Sequence, residues 1–115
     1  MDPFSALAEP TRRSILEMLA RRGQLPASAI YDRFPISRPA VSQHLKILRE
    51  AKLVRVEKHA QQRIYQLNPE AMAELEDWAR QMRRLWDQRL DALERLLQEE
   101  KFKASQGREP QQKQG

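Results

Sequence analysis

Apolar side chains near the N-terminus recur at three- and four-residue intervals, and proline or glycine interrupts the pattern. Asp2 and Pro3 predict the N-cap and the first position of a short helix. A second helix is predicted to begin at Pro10 and to stop at Gly23, a residue type common just beyond helix ends. A third helix, of about two turns, is predicted over Pro26–Phe34, because another proline follows it.

A fourth helix is predicted after Ser37, a good N-cap, and its end is expected near Ala51. Its apolar residues Val41, Leu45 and Leu48 stand at positions i, i+4 and i+7, which predicts that they form the buried face. The opposite face of this helix would then present arginine, serine, glutamine and lysine to solvent.

Two segments with alternating apolar and polar residues follow, "LVRVEK" and "RIYQL". They are rich in β-branched and aromatic residues, which predicts a two-stranded hairpin. The connecting "HAQQ" has neither Asn-Gly nor Asp-Gly, so we expect a mobile loop of four residues or more.

A helical pattern then runs without a break from Pro69 to about Phe102, a length of roughly 45 Å. Its apolar stripe comprises Met72, Leu75, Ala79, Met82, Trp86, Leu90, Leu93 and Leu97. So long a stripe needs a partner surface. The pattern predicts one domain over residues 1–102, whose last helix covers about 69–102. The polar, glutamine-rich segment 103–115 is predicted to be a disordered tail.

Charge is distributed unevenly along the chain. The net charge is +5, yet residues 33–63 hold eight basic and two acidic side chains, while residues 68–100 are net acidic. Clustered basic charge with a sequence pI near 10.0 is typical of a protein that binds a polyanion. A solvated basic surface is the competing explanation.

Composition excludes several classes of function. The chain contains no cysteine, which excludes disulfides, iron–sulfur clusters, cysteine-based zinc sites and thiol redox sensing. No apolar run approaches the roughly 18 residues of a membrane span, and the N-terminus lacks a secretory signal pattern, so a cytoplasmic location is expected. The glycine-rich phosphate loop, the nucleophile elbow and the zinc-hydrolase motif are all missing, so neither catalytic residues nor a cofactor is expected.

The third and fourth predicted helices are joined across "PIS" and have the proportions of a helix-turn-helix. In that motif the second helix lies in the DNA major groove. Gln43 suits adenine and Arg38 suits guanine, while Lys46 suits phosphate. The predicted DNA-binding residues of this helix are Ser37, Arg38, Pro39, Ser42, Gln43, His44, Lys46 and Arg49.

The hairpin would act as the wing of this motif, and polar residues cluster at its tip. The predicted DNA-binding residues of the wing are Lys58, His59, Gln61, Gln62 and Arg63. They would reach a flanking minor groove or its phosphates. Arg12 and Arg13, near the start of the second helix, are expected to add phosphate contacts.

The segments "ALAEPTRRSILEML" and "PISRPAVSQHLKILREAKLVRVEKHAQQRIYQL" together resemble the ArsR/SmtB-type winged-helix repressors of bacteria over about residues 2–67. The "S-x-H-L-x-x-L" core is specific at its spacing. The resemblance implies a mainly α fold with a small β-hairpin, a winged helix-turn-helix dimerised through its first and last helices. It also implies a homodimer that represses transcription at double-stranded DNA operators of imperfect dyad symmetry.

Two departures from the family pattern matter. Lys52 stands where the family often has glycine, which would strain the turn. The metal-sensing branches place cysteine in the short helix or histidine and aspartate in the last helix, and this chain has no histidine there. The chain therefore resembles the metal-free, autorepressor-like branch, whose "W-x-x-R-L-x-x-L" pattern is echoed by "WDQRLDALERLL", and no metal site is expected.

The resemblance and the long apolar stripe together suggest a dimer interface. The predicted dimerisation residues are Phe4, Leu7, Leu75, Trp78, Met82, Leu85, Trp86 and Leu93. A ligand pocket between Trp78 and Trp86 would also suit these residues, because the cores of helix bundles host ligands. Interface packing is favoured, since large aromatic side chains dominate dimer cores.

The charged side chains of the last helix and the two histidines each allow two interpretations. The acidic residues of that helix alternate with arginines at i,i+4 spacing, which favours a salt-bridged, solvated face over a cation site. His44 and His59 are fifteen positions apart without cysteine, so a phosphate or capping contact suits His44 better than a metal.

Two further functions are compatible with the same pattern of elements. A winged helix can serve as a protein-binding adaptor, with the long last helix as its working surface. A repressor gated by an organic ligand would instead bind that ligand between the tryptophan-bearing helices. DNA binding is favoured over both, because basic and hydrogen-bonding side chains are concentrated on the fourth helix and the hairpin.

Overall fold

A computed structural model describes residues 1–114, with the side chains of residues 1–106. The elements in chain order are α1 (Pro3–Leu7), α2 (Pro10–Arg22), β1 (Gln24–Pro26), α3 (Ala27–Tyr31), α4 (Arg38–Glu50), β2 (Val54–His59), β3 (Gln62–Leu67) and α5 (Pro69–Gln114). The chain divides into two units, Met1–Glu76 and Asp77–Gly115. The first unit is a winged helix-turn-helix, as predicted.

Side chains accept hydrogen bonds from free N–H groups at the starts of α1, α2 and α4, whereas α3 has no side-chain cap. The Asp2 carboxylate accepts hydrogen bonds from the N–H groups of Phe4, at 2.9 Å, and Ser5, at 3.1 Å. The Ser5 hydroxyl also donates to this carboxylate, and these bonds lower the pKa of Asp2. At α4, the Ser37 hydroxyl accepts from the N–H of Ala40 at 3.3 Å. Both predicted N-caps are therefore confirmed, and so is the end of α2 at Gly23, whose φ is +87°.

The prediction for the third helix was wrong at both ends. Helix α3 spans only Ala27–Tyr31, and Pro26 belongs to strand β1, where its φ of −69° and ψ of 153° are extended. Strand β1 pairs antiparallel with β3, so the hairpin is part of a three-stranded sheet in the order β1-β3-β2. A proline fits here because β1 is an edge strand. Three residues were too few for the alternation pattern to reveal a strand.

The expected loop of four residues or more was also wrong. Strand β2 continues to His59 and β3 begins at Gln62, and these two residues pair with each other. Only Ala60 and Gln61 connect the strands, and Ala60 adopts a left-handed φ of +55°. A tight turn therefore forms without the glycine that usually marks one.

The core of the first unit lies beneath α4 and the sheet. Val41, Leu45 and Leu48 are each 1% exposed or less, which confirms the predicted inward face of α4. Ile15 and Leu19 of α2 are equally buried, and further core residues come from α1, α3 and the sheet. Full burial of such a side chain contributes about 1.5–3 kcal/mol, so this cluster holds α4 in place.

Helix α4 ends in a Schellman motif, which requires a left-handed residue at Lys52. The N–H of Leu53 donates to the Leu48 carbonyl and the N–H of Lys52 donates to the Arg49 carbonyl, each at 3.0 Å. Lys52 has a φ of +62°, and the Asn68 amide donates to its carbonyl at 2.8 Å. The predicted strain at this position therefore has a definite geometric cause.

Replacing Lys52 by glycine is expected to raise the free energy of unfolding by about 1 kcal/mol, because glycine adopts the left-handed conformation without a Cβ clash. Urea denaturation followed by circular dichroism measures the change. In the control, Lys46→Gly on the exposed face of helix α4 should lower stability by about 1 kcal/mol. A loss of stability in both variants would show that the left-handed residue is not strained.

The second unit is the continuation of α5. Large apolar side chains with exposed surface follow one another along it: Trp78, Met82, Leu85, Trp86, Leu90, Leu93, Leu96, Leu97 and Phe102. The helix was expected to end near residue 102, whereas it extends to Gln114. Because the side chains of residues 107–115 lie outside the described residues, the disordered tail stays a prediction. Across the described residues, no helix combines the length and apolarity needed to cross a membrane.

Candidate nucleic-acid interface

The face of α4 opposite the core is exposed, because Val41, Leu45 and Leu48 occupy the inward side. Seven of the eight predicted DNA-binding residues of this helix are exposed: Ser37, Arg38, Pro39, Ser42, Gln43, Lys46 and Arg49. Two cationic groups on this face differ in their surroundings. Lys46 Nζ lies 4.0 Å from the Glu50 carboxylate, whereas no carboxylate of the described residues lies within 4.0 Å of Arg38. The Arg38 guanidinium therefore keeps its N–H donors available.

Tyr31, at the end of α3, contacts two side chains of this face. Its hydroxyl oxygen lies 2.7 Å from the Ser42 hydroxyl oxygen, and the Arg38 guanidinium carbon lies 5.0 Å from its ring centroid. Sequence reasoning missed Tyr31. The available signal was an aromatic residue with a polar tip just before the turn of a predicted helix-turn-helix.

His44 is the exception among the predicted residues of α4. Its side chain is 19% exposed, and its Nδ1 lies 3.3 Å from an Arg12 guanidinium nitrogen and 3.7 Å from a Glu9 carboxylate oxygen. The imidazole thus faces the start of α2 rather than the exposed face that carries Gln43. A capping or phosphate contact was expected for His44, and the structure places it in an internal polar network instead.

Arg12 is the centre of that network, because it joins three helices. Its Nε donates to the Ala6 carbonyl of α1 at 2.7 Å, while another guanidinium nitrogen meets His44 of α4. Arg13 donates to the Leu7 carbonyl at 2.6 Å. Both arginines were expected to contact phosphate; each donates to a carbonyl of α1, and their contacts with phosphate stay a prediction.

Glu9 completes the network as the N-cap of α2. Burial acts to raise the pKa of its carboxyl, but the hydrogen bond from the Arg12 N–H, the charge that His44 carries when protonated, and hydrogen bonds from Thr11 together outweigh this effect and lower the pKa. A carboxylate with a lowered pKa stabilises the folded state at neutral pH, and that contribution is lost as pH falls below the ordinary value of 4.5. The contacts of Arg12 and Glu9 with His44, and of Arg12 with the Ala6 carbonyl, therefore link α4 to α1 and to the start of α2.

The five predicted wing residues all lie together and exposed at one end of the sheet: Lys58, His59, Gln61, Gln62 and Arg63. Lys58 of β2 stands directly opposite Arg63 of β3, and no carboxylate of the described residues lies within 4.0 Å of either. Like charges in this arrangement destabilise a sheet. A nearby polyanion would relieve that repulsion, which gives this pair a physical reason to face a phosphate backbone.

The predicted dimerisation residues fall in both units. In the first unit Phe4 is exposed, and Leu7 and Leu75 are half-buried along an apolar groove that Leu16 and Met72 also line. In the second unit Trp78, Met82, Leu85, Trp86 and Leu93 are exposed. Within the part of the chain whose side chains are described, no three histidine, aspartate or glutamate side chains come together as metal ligands.

Comparisons with known proteins agree with this geometry. A family profile described as a helix-turn-helix domain matches residues 7–57. The HTH-type transcriptional regulator Rv2034 of Mycobacterium tuberculosis is 40% identical over 97 residues, which cover 84% of this chain and 87% of that protein. The transcriptional repressor SdpR of Bacillus subtilis is 36% identical over 75 residues, covering 65% of this chain and 82% of that protein.

A solved structure supports the same assignment. The ArsR-like transcriptional regulator from Rhodococcus sp. RHA1 superimposes with a TM-score of 0.70 at 30% identity, covering 81% of this chain and 87% of that chain. The sequence motif, the winged fold and the exposed polar face of α4 all indicate a DNA-binding winged helix-turn-helix. The chain belongs to the ArsR-type winged helix-turn-helix family of DNA-binding transcriptional regulators.

Proposed function

We propose that the chain is a dimeric repressor that binds an inverted-repeat operator and places α4 of each subunit in a major groove. The observation that carries this proposal is the arrangement of α4. Its apolar face is fully buried, so packing in the core fixes the rotation of the helix and turns its polar face toward solvent. In a helix-turn-helix, that face meets the base edges.

Each exposed residue of α4 has a role that suits its chemistry. Gln43 pairs with adenine through two hydrogen bonds, and Arg38 pairs with guanine O6 and N7. Ser42 contacts a base or a phosphate, and Pro39 is flat enough to approach a thymine methyl group. The remaining contacts are to backbone phosphate, from Lys46, Arg49 and the helix start at Ser37.

The wing supplies contacts that do not depend on sequence. The cations Lys58 and Arg63 face each other across the two strands, and phosphates of a flanking minor groove would neutralise them. The polar side chains of His59, Gln61 and Gln62 extend the same surface. His44 supports α4 from behind through Arg12 and Glu9, so its contribution to binding is indirect.

Dimerisation explains why α5 exposes so many apolar side chains. A stripe that includes Trp78, Met82 and Trp86 is suited to packing against the same stripe of a second subunit. Phe4 and Leu7 of α1 are proposed as further dimerisation residues. Two-fold symmetry would then place the two α4 helices about one DNA turn, roughly 34 Å, apart.

Repression by this chain is proposed to be independent of metal. The chain contains no cysteine, and both histidines precede α5. A thiolate site, or a histidine-containing site on the last helix, therefore cannot be built from these residues. The protein acts by binding rather than by catalysis, in the cytoplasm, where the DNA is accessible.

Selection from a random duplex library, followed by fluorescence anisotropy on the selected duplex, tests this function. Gln43→Ala is expected to weaken the binding free energy by about 1–3 kcal/mol on the selected duplex, because the contact to one base is removed. The binding free energy on random DNA should change little. Gln24→Ala, which removes an exposed glutamine of β1, is the matched control and should leave both affinities unchanged. An equal loss on both duplexes for Gln43→Ala would contradict base reading.

Lys58→Ala is expected to weaken binding to all duplexes alike and to reduce the salt slope of log K by about 1, since one phosphate contact is lost. A titration across salt concentrations measures this slope. If the wild type shows weak binding that is insensitive to both sequence and salt, the chain is a protein-binding adaptor instead. Thermal-shift screening of small organic molecules with the wild type would reveal a ligand-gated repressor.

A further inference from the structure

Tyr31 lies where the two helices of the helix-turn-helix come together. It ends α3, and its half-buried ring packs against the hydrophobic core. Its hydroxyl oxygen is 2.7 Å from the Ser42 hydroxyl oxygen, and the guanidinium carbon of Arg38 lies 5.0 Å from its ring centroid. One core-anchored side chain therefore contacts two residues of the exposed face of α4.

We propose that Tyr31 is a positioning residue for DNA recognition, which holds Arg38 and Ser42 in the conformations that read base edges. This inference rests on the proposed function, because it assumes that the exposed face of α4 meets DNA. It adds a residue of α3 to the determinants of sequence specificity.

The contact with Arg38 is a cation–π contact, in which the guanidinium carbon lies over the Tyr31 ring. When the flat face of a guanidinium stacks on a ring, its five N–H donors remain along its edge. Guanine O6 and N7 are recognised by that edge. A free arginine side chain loses rotamer entropy when DNA immobilises it. Contact with the Tyr31 ring already restricts the Arg38 side chain, so less entropy is lost on binding.

The contact with Ser42 restricts a hydroxyl that would otherwise rotate. Each hydroxyl carries one proton, so one of the two donates within the pair. If Ser42 donates to Tyr31, its oxygen accepts from adenine N6 or cytosine N4. If Tyr31 donates, Ser42 keeps its proton for guanine or a phosphate. Either state presents one hydrogen-bonding character to the groove, which favours some base pairs over others.

Support from the core makes this arrangement effective. Tyr31 packs against the hydrophobic core directly after the fully buried Ile30, and Val41, the residue before Ser42, is also fully buried. Recognition side chains need neighbours that are themselves immobile if they are to hold a productive geometry.

The test compares two substitutions of Tyr31 on the selected duplex and on random DNA. Tyr31→Phe keeps the ring and removes the hydroxyl, so we expect the ratio of the two affinities to fall about threefold to tenfold. Tyr31→Leu also removes the stacking surface, and we expect a fall of ~10-fold or more. Tyr65→Phe, at the buried tyrosine of β3, is the matched control and should leave the ratio unchanged.

Combined substitutions distinguish positioning from a general structural role. In a Ser42→Ala background, Tyr31→Phe should have no further effect, because its hydroxyl then has nothing to hold. In an Arg38→Ala background, Tyr31→Leu should lower the ratio no more than Tyr31→Phe does in the wild type. Urea denaturation of each variant verifies that the fold is retained.

The outcomes separate this inference from the proposed function. If the wild type prefers the selected duplex and both Tyr31 variants keep its affinity ratio, the positioning role is overturned and the proposed function stands. Persistence of the Tyr31→Phe effect in the Ser42→Ala background would also overturn it. A wild type without any duplex preference would overturn both.

Discussion

Leu45→Ala is expected to lower the free energy of unfolding by about 2–5 kcal/mol, because the truncated side chain leaves a cavity in the core. Leu45 is 1% exposed and lies between Val41 and Leu48 on the buried face of α4. Urea denaturation followed by circular dichroism measures the loss. The free energy of unfolding of an ordinary domain is about 5–15 kcal/mol. If the wild type lies at the lower end of that range, the variant would be partly unfolded.

The adjacent residue provides the control for this prediction. Lys46→Ala changes an exposed side chain on the opposite face of α4 and should alter stability by no more than about 0.5 kcal/mol. Leu45→Ala should also weaken binding to operator and to random DNA equally, since it lowers the fraction of folded protein rather than removing one base contact. A stability loss for Leu45→Ala no larger than that for Lys46→Ala would contradict the inward orientation of this face.

Trp86→Asp is expected to convert the proposed dimer to monomers and to weaken binding to the proposed operator by a factor of at least ~30. A large aromatic side chain in an interface core contributes about 2 kcal/mol or more, and the substitution places a desolvated charge there in each subunit. Trp86 is 57% exposed in the single chain and stands on the apolar stripe of α5. Analytical ultracentrifugation gives the oligomeric state, and anisotropy gives the affinity.

The control for the dimer prediction adds the same negative charge at a residue outside the apolar stripe of α5. Gln88→Asp alters an exposed residue two positions further along α5 and should keep both the dimer and the operator affinity. A half-operator should bind Trp86→Asp and the wild type with more similar affinities, because only one α4 then has a site. A Trp86→Asp protein that remains dimeric would locate the subunit interface elsewhere.

Local sequence was sufficient where short-range chemistry decides the structure. Asp2 and Ser37 cap helices because their side chains reach N–H groups two or three residues away. The 3.6-residue period assigned Val41, Leu45 and Leu48 to the core, and everything proposed for the outer face of α4 follows from that assignment. The winged fold was also recognisable, since its elements follow one another closely along the chain.

Tertiary packing decided the features that depend on residues far apart in sequence. Strand β1 exists because Leu25 pairs opposite Tyr65, and three residues alone carry no detectable alternation. The tight turn at Ala60 tolerates a positive φ because two paired strands hold both of its ends. Neither feature leaves a local signal in the residues that form it.

Placement of individual functional side chains likewise depended on the fold. The amino-acid sequence determined that α4 has a basic, hydrogen-bonding face and that α5 has an apolar stripe, because both follow from helical periodicity. The tertiary structure alone decided that His44 turns toward Arg12 and that Tyr31 meets Ser42 and Arg38. Such contacts join separate helices, and their geometry is set by how the shared core packs rather than by the spacing of residues along either helix.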